Sequence, residues 1–176
     1  TIILGDIAEC LARTDAAMSA TGTFTLAQHS ALLADHVGRE HSAHAACYAL
    51  LRSSGEALLR SVSPLTYCAQ GFSALTRGYD DLMAAIHGAV GLEWPAPQPI
   101  GAVLRNIGDQ LELRELMSLR QNVAFEIRRL QDQGVTPLKA HLAPMTRDKA
   151  WAKWCGTWKV MATAAGLRPT SAWRGI

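Results

Sequence analysis

The sequence predicts an all-α fold, a single-domain helical bundle of five to seven helices. Three observations carry that expectation. Apolar residues recur at helical spacing along most of the chain, and helix-start and helix-stop residues punctuate those stretches. Sustained period-2 alternation and Asn-Gly or Asp-Gly hairpin signals are absent. With 176 residues, 49% of them hydrophobic, and a mean hydropathy of +0.06, the chain can bury one sizeable core and is not expected to be disordered.

The first helix is expected from about Asp6 to Ala20, with Ile7, Leu11 and Met18 in register and Thr21-Gly22 as its stop. Thr25-Leu-Ala-Gln28 has the form of a capping box and opens a helix through Leu32, Leu33 and Val37. Gly38 interrupts it weakly, and the pattern resumes through Ala43, Cys47, Leu50, Leu51, Leu58 and Leu59. Ser63-Pro64 pairs an N-cap with a first-turn proline for a helix to about Val90, with Gly78 as a candidate break and Gly91 as the stop. These N-terminal helices occupy 1–94. The proline-rich connection 95–99 is a semi-rigid spacer.

In 100–134, Ile100 to Ile107 add a short helical turn. Asp109-Gln-Leu-Glu112 then repeats the capping-box pattern and opens the longest uninterrupted helix, to Gln133 and Gly134. Leu113, Leu116, Leu119, Val123, Ile127 and Leu130 form its apolar face. After a loop with Pro137 and Pro144, Thr146 caps a final helix that has Asp148 in its first turn and Gly166 and Pro169 as its stop. The residues from Pro169 to Ile176 are expected to be irregular.

That final helix is the most aromatic and basic stretch of the chain. Trp151, Trp154, Cys155, Trp158, Met161, Ala162 and Ala165 share one stripe, while Lys149 and Lys153 point the other way and Lys159 sits on the flank. A helix lying on a membrane surface shows the same division. Every other helix has an apolar face that needs cover, so the stripe is read as a docking face. No apolar run approaches the ~20 residues of a membrane-spanning helix. The opening Thr-Ile-Ile-Leu lacks the basic flank of a signal peptide, which leads us to expect a cytoplasmic protein with no membrane partner.

The net charge of +2 hides a segregation. Residues 1–138 carry ten Arg against fourteen Asp/Glu, a balance of −4. Residues 139–176 carry Lys139, Arg147, Lys149, Lys153, Lys159, Arg168 and Arg174 against Asp148 alone, a balance of +6. A basic segment on an acidic body points to a polyanion or an acidic protein surface as partner. These seven cations are the candidate contacts, and phosphates would be bound without strong sequence preference. His141 flanks them.

The long helix offers a second surface. Arg114, Arg128 and Arg129 lie opposite its apolar stripe with Phe125 among them, and Arg beside an exposed aromatic suits a phosphate backbone with splayed bases. The competing reading is a salt-bridged face, because Asp109, Glu112, Glu115, Glu126 and Asp132 share that helix. Arg120 falls on the apolar side and is expected to pair with a carboxylate of another helix or to reach past the core.

Catalytic signatures are missing: no G-x-S-x-G elbow, P-loop or G-x-G-x-x-G occurs. Asp80 and Asp81 are adjacent and point apart on a helix. The four cysteines, Cys10, Cys47, Cys68 and Cys155, form no C-x-x-C and read as reduced, mostly buried thiols. If Gly38 is tolerated within one helix, His29, His36, Glu40, His44 and Cys47 share a face. His36, Glu40 and His44 then have the i, i+4, i+8 spacing that lets ligands converge on a divalent metal. If the helix instead breaks at Gly38, the faces rotate and the histidines go to the surface. No Glu-x-x-His motif of helix-bundle metal sites is present.

Thr76-Arg77-x-x-Asp80-Asp81-x3-Ala85-Ile86 is similar to the T-R-x-x-D-D-x3-A-I helix of rod-shaped plant virus coat proteins, where it belongs to a four-helix bundle stacked along RNA. The match covers an eleven-residue window, and it places Arg77 among the candidate contacts. The chain also resembles, in size and character, the small all-helical subunits of CRISPR effector complexes. Both resemblances imply a repeating or accessory subunit of a nucleoprotein assembly.

The sequence therefore leads to a non-enzymatic helical subunit without a cofactor, contacting nucleic-acid backbone or an acidic partner through its basic C-terminal segment. A helical-bundle metal-binding protein or metalloenzyme on His36, Glu40 and His44 is the alternative. A purely structural, self-assembling bundle is the third reading.

Overall fold

Most of the apolar periodicity becomes helix where the structure describes the chain. The computed structural model describes residues 1–16, 24–62, 72–119 and 123–176, with 62 and 72–77 described as backbone only. Its elements are α1 (Leu4–Arg13), α2 (Leu26–Glu40), α3 (Ala43–Leu51), α4 (Ser54–Val62), α5 (Phe72–Ala89), α6 (Gln98–Leu119), α7 (Ala124–Asp132) and α8 (Arg147–Ala164). A short 3-10 turn, Ser171–Trp173, follows. No strand occurs among the described residues; an isolated antiparallel bridge joins Asp15 and Thr25. The fold is an all-helical single domain, and none of its described helices is long and apolar enough to cross a membrane.

The core is organised around α8, which packs against α1, α2 and α3. Trp154 and Trp158 are both fully buried, and their rings stack with centroids 6.0 Å apart. The Trp154 indole N–H donates to the Leu50 carbonyl of α3 at 3.1 Å. The Trp stripe is thus the docking face of α8, and Trp151 at its edge is half-buried. Thr146 caps α8 by accepting from the Lys149 N–H at 3.4 Å, and Gly166 ends the helix region with φ of 77°.

Several boundaries differ from the sequence reading, each for a physical reason. α1 ends at Arg13, short of Ala20, because Thr14 turns extended and Asp15 pairs with Thr25. α2 runs through Gly38 and stops at His41, where Ser42 caps α3 by accepting from the Ala45 N–H at 3.0 Å. Gly38 is a contact, not a break: a Cβ there would come within 2.7 Å of the Met161 side chain of α8. The Asp109-to-Glu112 segment caps nothing, since α6 is continuous from Gln98 with Leu104, Ile107 and Leu111 buried along it. The helix expected to run on to Gln133 is interrupted at Val123, which is non-helical and starts α7. Leu113, Leu116, Val123 and Leu130 form a small second cluster there, apart from the main core.

The Thr25 cap forms, but only by half. Its hydroxyl accepts from the Gln28 N–H at 3.2 Å. The buried Gln28 amide reaches away instead, donating to the Ala143 carbonyl at 2.7 Å and accepting from the Met145 N–H at 2.9 Å. Leu138 N–H donates to the Gln110 carbonyl at 3.2 Å, so the loop before α8 is tied to α2 and α6. The last residues double back on α1, with the Gly5 N–H donating to the Arg174 carbonyl at 3.2 Å and Trp173 meeting Trp158 edge-on. The proposed helix start at Ser63-Pro64 and the stop at Thr21-Gly22 lie outside the described residues.

Candidate functional sites

Burial of the Trp face of α8 leaves the opposite face to the solvent. Lys149 and Lys159 are exposed on it, together with Val160 and the small residues Ala152 and Gly156. Lys139, Arg147, Arg168 and Arg174 are also exposed. None of these six side chains has a carboxylate within 4.0 Å among the described residues. Arg147 shares a groove with Asp6, Glu9 and Asp148 but closes no ion pair there.

Lys153 differs from the other cations of the segment. Instead of pointing to solvent with Lys149, it lies on the flank facing α2 and pairs with Asp35 at 2.7 Å. The helix packing that inserts Met161 against Gly38 brings this flank of α8 over Asp35, and the two side chains pair at the surface, each about one-third exposed.

The arginines of the long-helix region divide. Arg129 pairs with Glu126 at 2.8 Å, one turn away, as the salt-bridged reading expects. The carboxylate's hydrogen bond raises its pKa further. Arg114 donates to the Ala140 carbonyl at 3.0 Å and shares a surface depression with Lys139 and His141. Arg128 and Phe125 are both exposed, Phe125 at 77%. They sit on α7, a different helix from Arg114. Arg120, Cys68 and the Arg77 side chain lie outside the described residues.

The histidine face does not survive as one register. Because the chain turns at His41, His36 and Glu40 remain on α2 while His44 heads α3. His36 Nε2 lies 3.1 Å from Glu40, and His44 sits edge-on to the Tyr48 ring at 5.4 Å. Among the described residues no three of His, Cys, Asp and Glu are grouped to hold a metal ion. Cys47 and Cys155 are buried, and burial pushes their thiols up to about 12 and about 11. Both are free, as is Cys10.

One constellation escaped the sequence reading. A cavity of about 310 Å³ opens between α2, the α3–α4 junction, α5 and α6. His29 of α2 enters it and meets Glu115 of α6, with Nδ1 at 3.0 and 2.9 Å from the two carboxylate oxygens. Burial by itself would lower the His29 pKa; the Glu115 charge and hydrogen bond outweigh it, and the pKa is raised. Glu112, one turn before Glu115, has its carboxyl pKa raised by burial. Its Oε1 is shut off from solvent with no donor among the described residues. Arg52 lies flat against α6, its Nη1 donating to the Leu104 carbonyl at 3.0 Å. Gly108 makes that approach feasible, since a Cβ there would sit 2.3 Å from Nη1. Glu112 and Glu115 are i and i+3 on a helix, a signal visible in the sequence; that His29 and Arg52 face them is a product of packing.

No protein-family model and no curated protein matches this sequence.

Proposed function

We propose that this protein is a non-enzymatic helical subunit of a larger assembly, contacting nucleic-acid backbone through the basic segment 139–176. The observation that carries the proposal is the exposed, unpaired state of Lys139, Arg147, Lys149, Lys159, Arg168 and Arg174 among the described residues. Cations held on a folded scaffold without internal partners attract a polyanion and release its counterions on binding. Lys153 is not part of this surface. Arg128 beside the exposed Phe125 on α7 extends the same chemistry to unstacked bases. The working location of such a subunit is the cytoplasm, in company with other subunits or copies of itself.

The test is fluorescence anisotropy of the purified chain with generic single- and double-stranded nucleic acid across a salt series. With all six cations engaged, log K should fall with log salt at a slope of about −4 on single strands. Lys149→Glu combined with Lys159→Glu should weaken binding to every sequence and flatten that slope by about 1.4. Unchanged affinity and slope in this variant would sink the proposal. A raised 260/280 ratio in the chain as first purified is the matching qualitative sign; an acidic protein co-purifying without nucleic acid would reassign the partner.

A further inference from the structure

The cavity between α2, α4, α5 and α6 is lined by charges of both signs, several of which close no ion pair among the described residues. Two of its carboxylates are satisfied: Glu115 by His29, and Glu56 by Arg60 at 2.6 Å. The Arg52 guanidinium has no carboxylate within 4.0 Å among the described residues, and neither Asp109 nor Glu112 has a cation within that distance. Glu112 Oε1 is closed to solvent and so to any ligand, and the charges of His29 and Arg129 partly offset the burial of this carboxylate; what a ligand would meet is the Arg52 guanidinium, Asp109 and the side of Glu112 that lines the cavity.

The walls restrict what that ligand is. A volume of about 310 Å³ lies at the low end for small-molecule pockets and excludes a polymer. Phosphate esters would meet Asp109 and Glu112 at short range. A simple amine would compensate those carboxylates and leave Arg52 beside it unopposed, and a simple carboxylic acid would do the reverse. A molecule with both an ammonium and a carboxylate compensates both ends at no net charge.

We propose that this cavity binds a small zwitterion of the amino-acid class, its carboxylate on the Arg52 guanidinium and its ammonium on Asp109 and the side of Glu112 that lines the cavity. The His29–Glu115 pair holds α2 against α6 and so sets the width of the cavity. This site lies on other elements than the basic face of α8 and stands or falls independently of nucleic-acid binding.

The experiment is isothermal titration of the full chain with the proteinogenic L-amino acids, each compared with its decarboxylated amine and its deaminated acid. The expected result is one-to-one binding of at least one amino acid, with its amine and its acid each weaker by about tenfold or more. Glu112→Gln and Arg52→Gln should each weaken binding of that amino acid by about tenfold or more, with helix content by circular dichroism unchanged. If Arg52→Gln fails to fold, Arg52→Lys, which retains a donor for the Leu104 carbonyl, takes its place and should weaken binding through loss of the two-pronged contact. No binding by any amino acid at millimolar concentration overturns the proposal. So does an amine that binds as tightly as its parent amino acid, or a folded variant with unchanged affinity.

Discussion

The body of the molecule and its C-terminal segment treat positive charge in opposite ways. In residues 1–138 most described arginines end on a partner close at hand. Arg13 pairs with Glu9, Arg60 with Glu56 and Arg129 with Glu126, all within one helical turn. Arg39, Arg52 and Arg114 donate to main-chain carbonyls. In residues 139–176 Lys153 alone reaches a carboxylate, and that carboxylate belongs to α2. Spacing accounts for part of the difference: Arg13, Arg60 and Arg129 each have an acid three or four residues away that pairs with them, whereas α8 has Asp148 in its first turn and no acid beyond it. Most described basic residues of the body are therefore tied to the fold, while Arg105 and Arg128 are exposed and close no ion pair among the described residues. Those of the segment, Lys153 apart, are free to meet something outside it.

The comparison depends first on α8 being firmly docked, and the largest expected effect tests that. Trp154→Ala should cost about 3–5 kcal/mol in urea unfolding, because it empties a fully buried site and orphans the Leu50 carbonyl. A cost below about 1 kcal/mol would mean the segment is not anchored to the body.

Next comes the buried pair that belongs to the body alone. Glu115→Gln should cost about 2–3 kcal/mol in mildly acidic buffer, where His29 is charged. The sign in pH is set by the raised His29 pKa: its stabilisation is complete below the ordinary value of 6.5 and is lost as pH climbs through the raised one. His87 acts in the opposite direction. Burial lowers its pKa while Nδ1 sits 2.7 Å from the Met83 carbonyl, so its contribution is present above 6.5 and lost as pH falls through the lowered value. Unfolding free energy against pH for the parent and for Glu115→Gln checks both slopes; the variant should lose the high-pH limb, and its buried, unpaired His29 should add to the His87 loss at low pH.

The seam between the two regions comes third. Gln28→Ala removes both hydrogen bonds to the loop at Ala143 and Met145 and should cost about 1–2 kcal/mol, with amide exchange rising first at Met145.

The smallest effect on stability sharpens the comparison most. Lys153→Ala should cost about 0.2–1 kcal/mol, since its pair with Asp35 is one-third exposed. Lys149→Ala should change stability by less than about 0.5 kcal/mol while weakening polyanion binding. The reverse ranking would erase the distinction between a structural and a free lysine.

Much of this was legible before any packing was known. Thr146, Asp148 and Gly166 mark α8 by local chemistry, and its Trp stripe repeats at helical spacing, so both its ends and its buried face follow from nearest neighbours in sequence. Gly38 and Asp109 were misleading for a shared reason. Each looks like punctuation when read with its neighbours, but Gly38 is small because Met161 presses against it, and Asp109 lies in mid-helix at the edge of a cavity. The His36, Glu40 and His44 register failed on the turn at His41, where the Ser42 cap outcompetes one more turn of α2.

What the sequence by itself determined is whatever depends on contacts within about one helical turn: the helical class, the segregation of charge at residue 139, and the ion pairs at i+3 and i+4. Tertiary structure alone decided that Lys153 is neutralised and Lys149 is not, although both sit on one side of one helix. It also brought His29 to Glu115 across 86 residues and laid Arg52 against Gly108, leaving Glu112 beside a void. Those outcomes hang on how α2 crosses α6 and α8, which is set by the shapes of side chains far apart in the chain and by no local pattern.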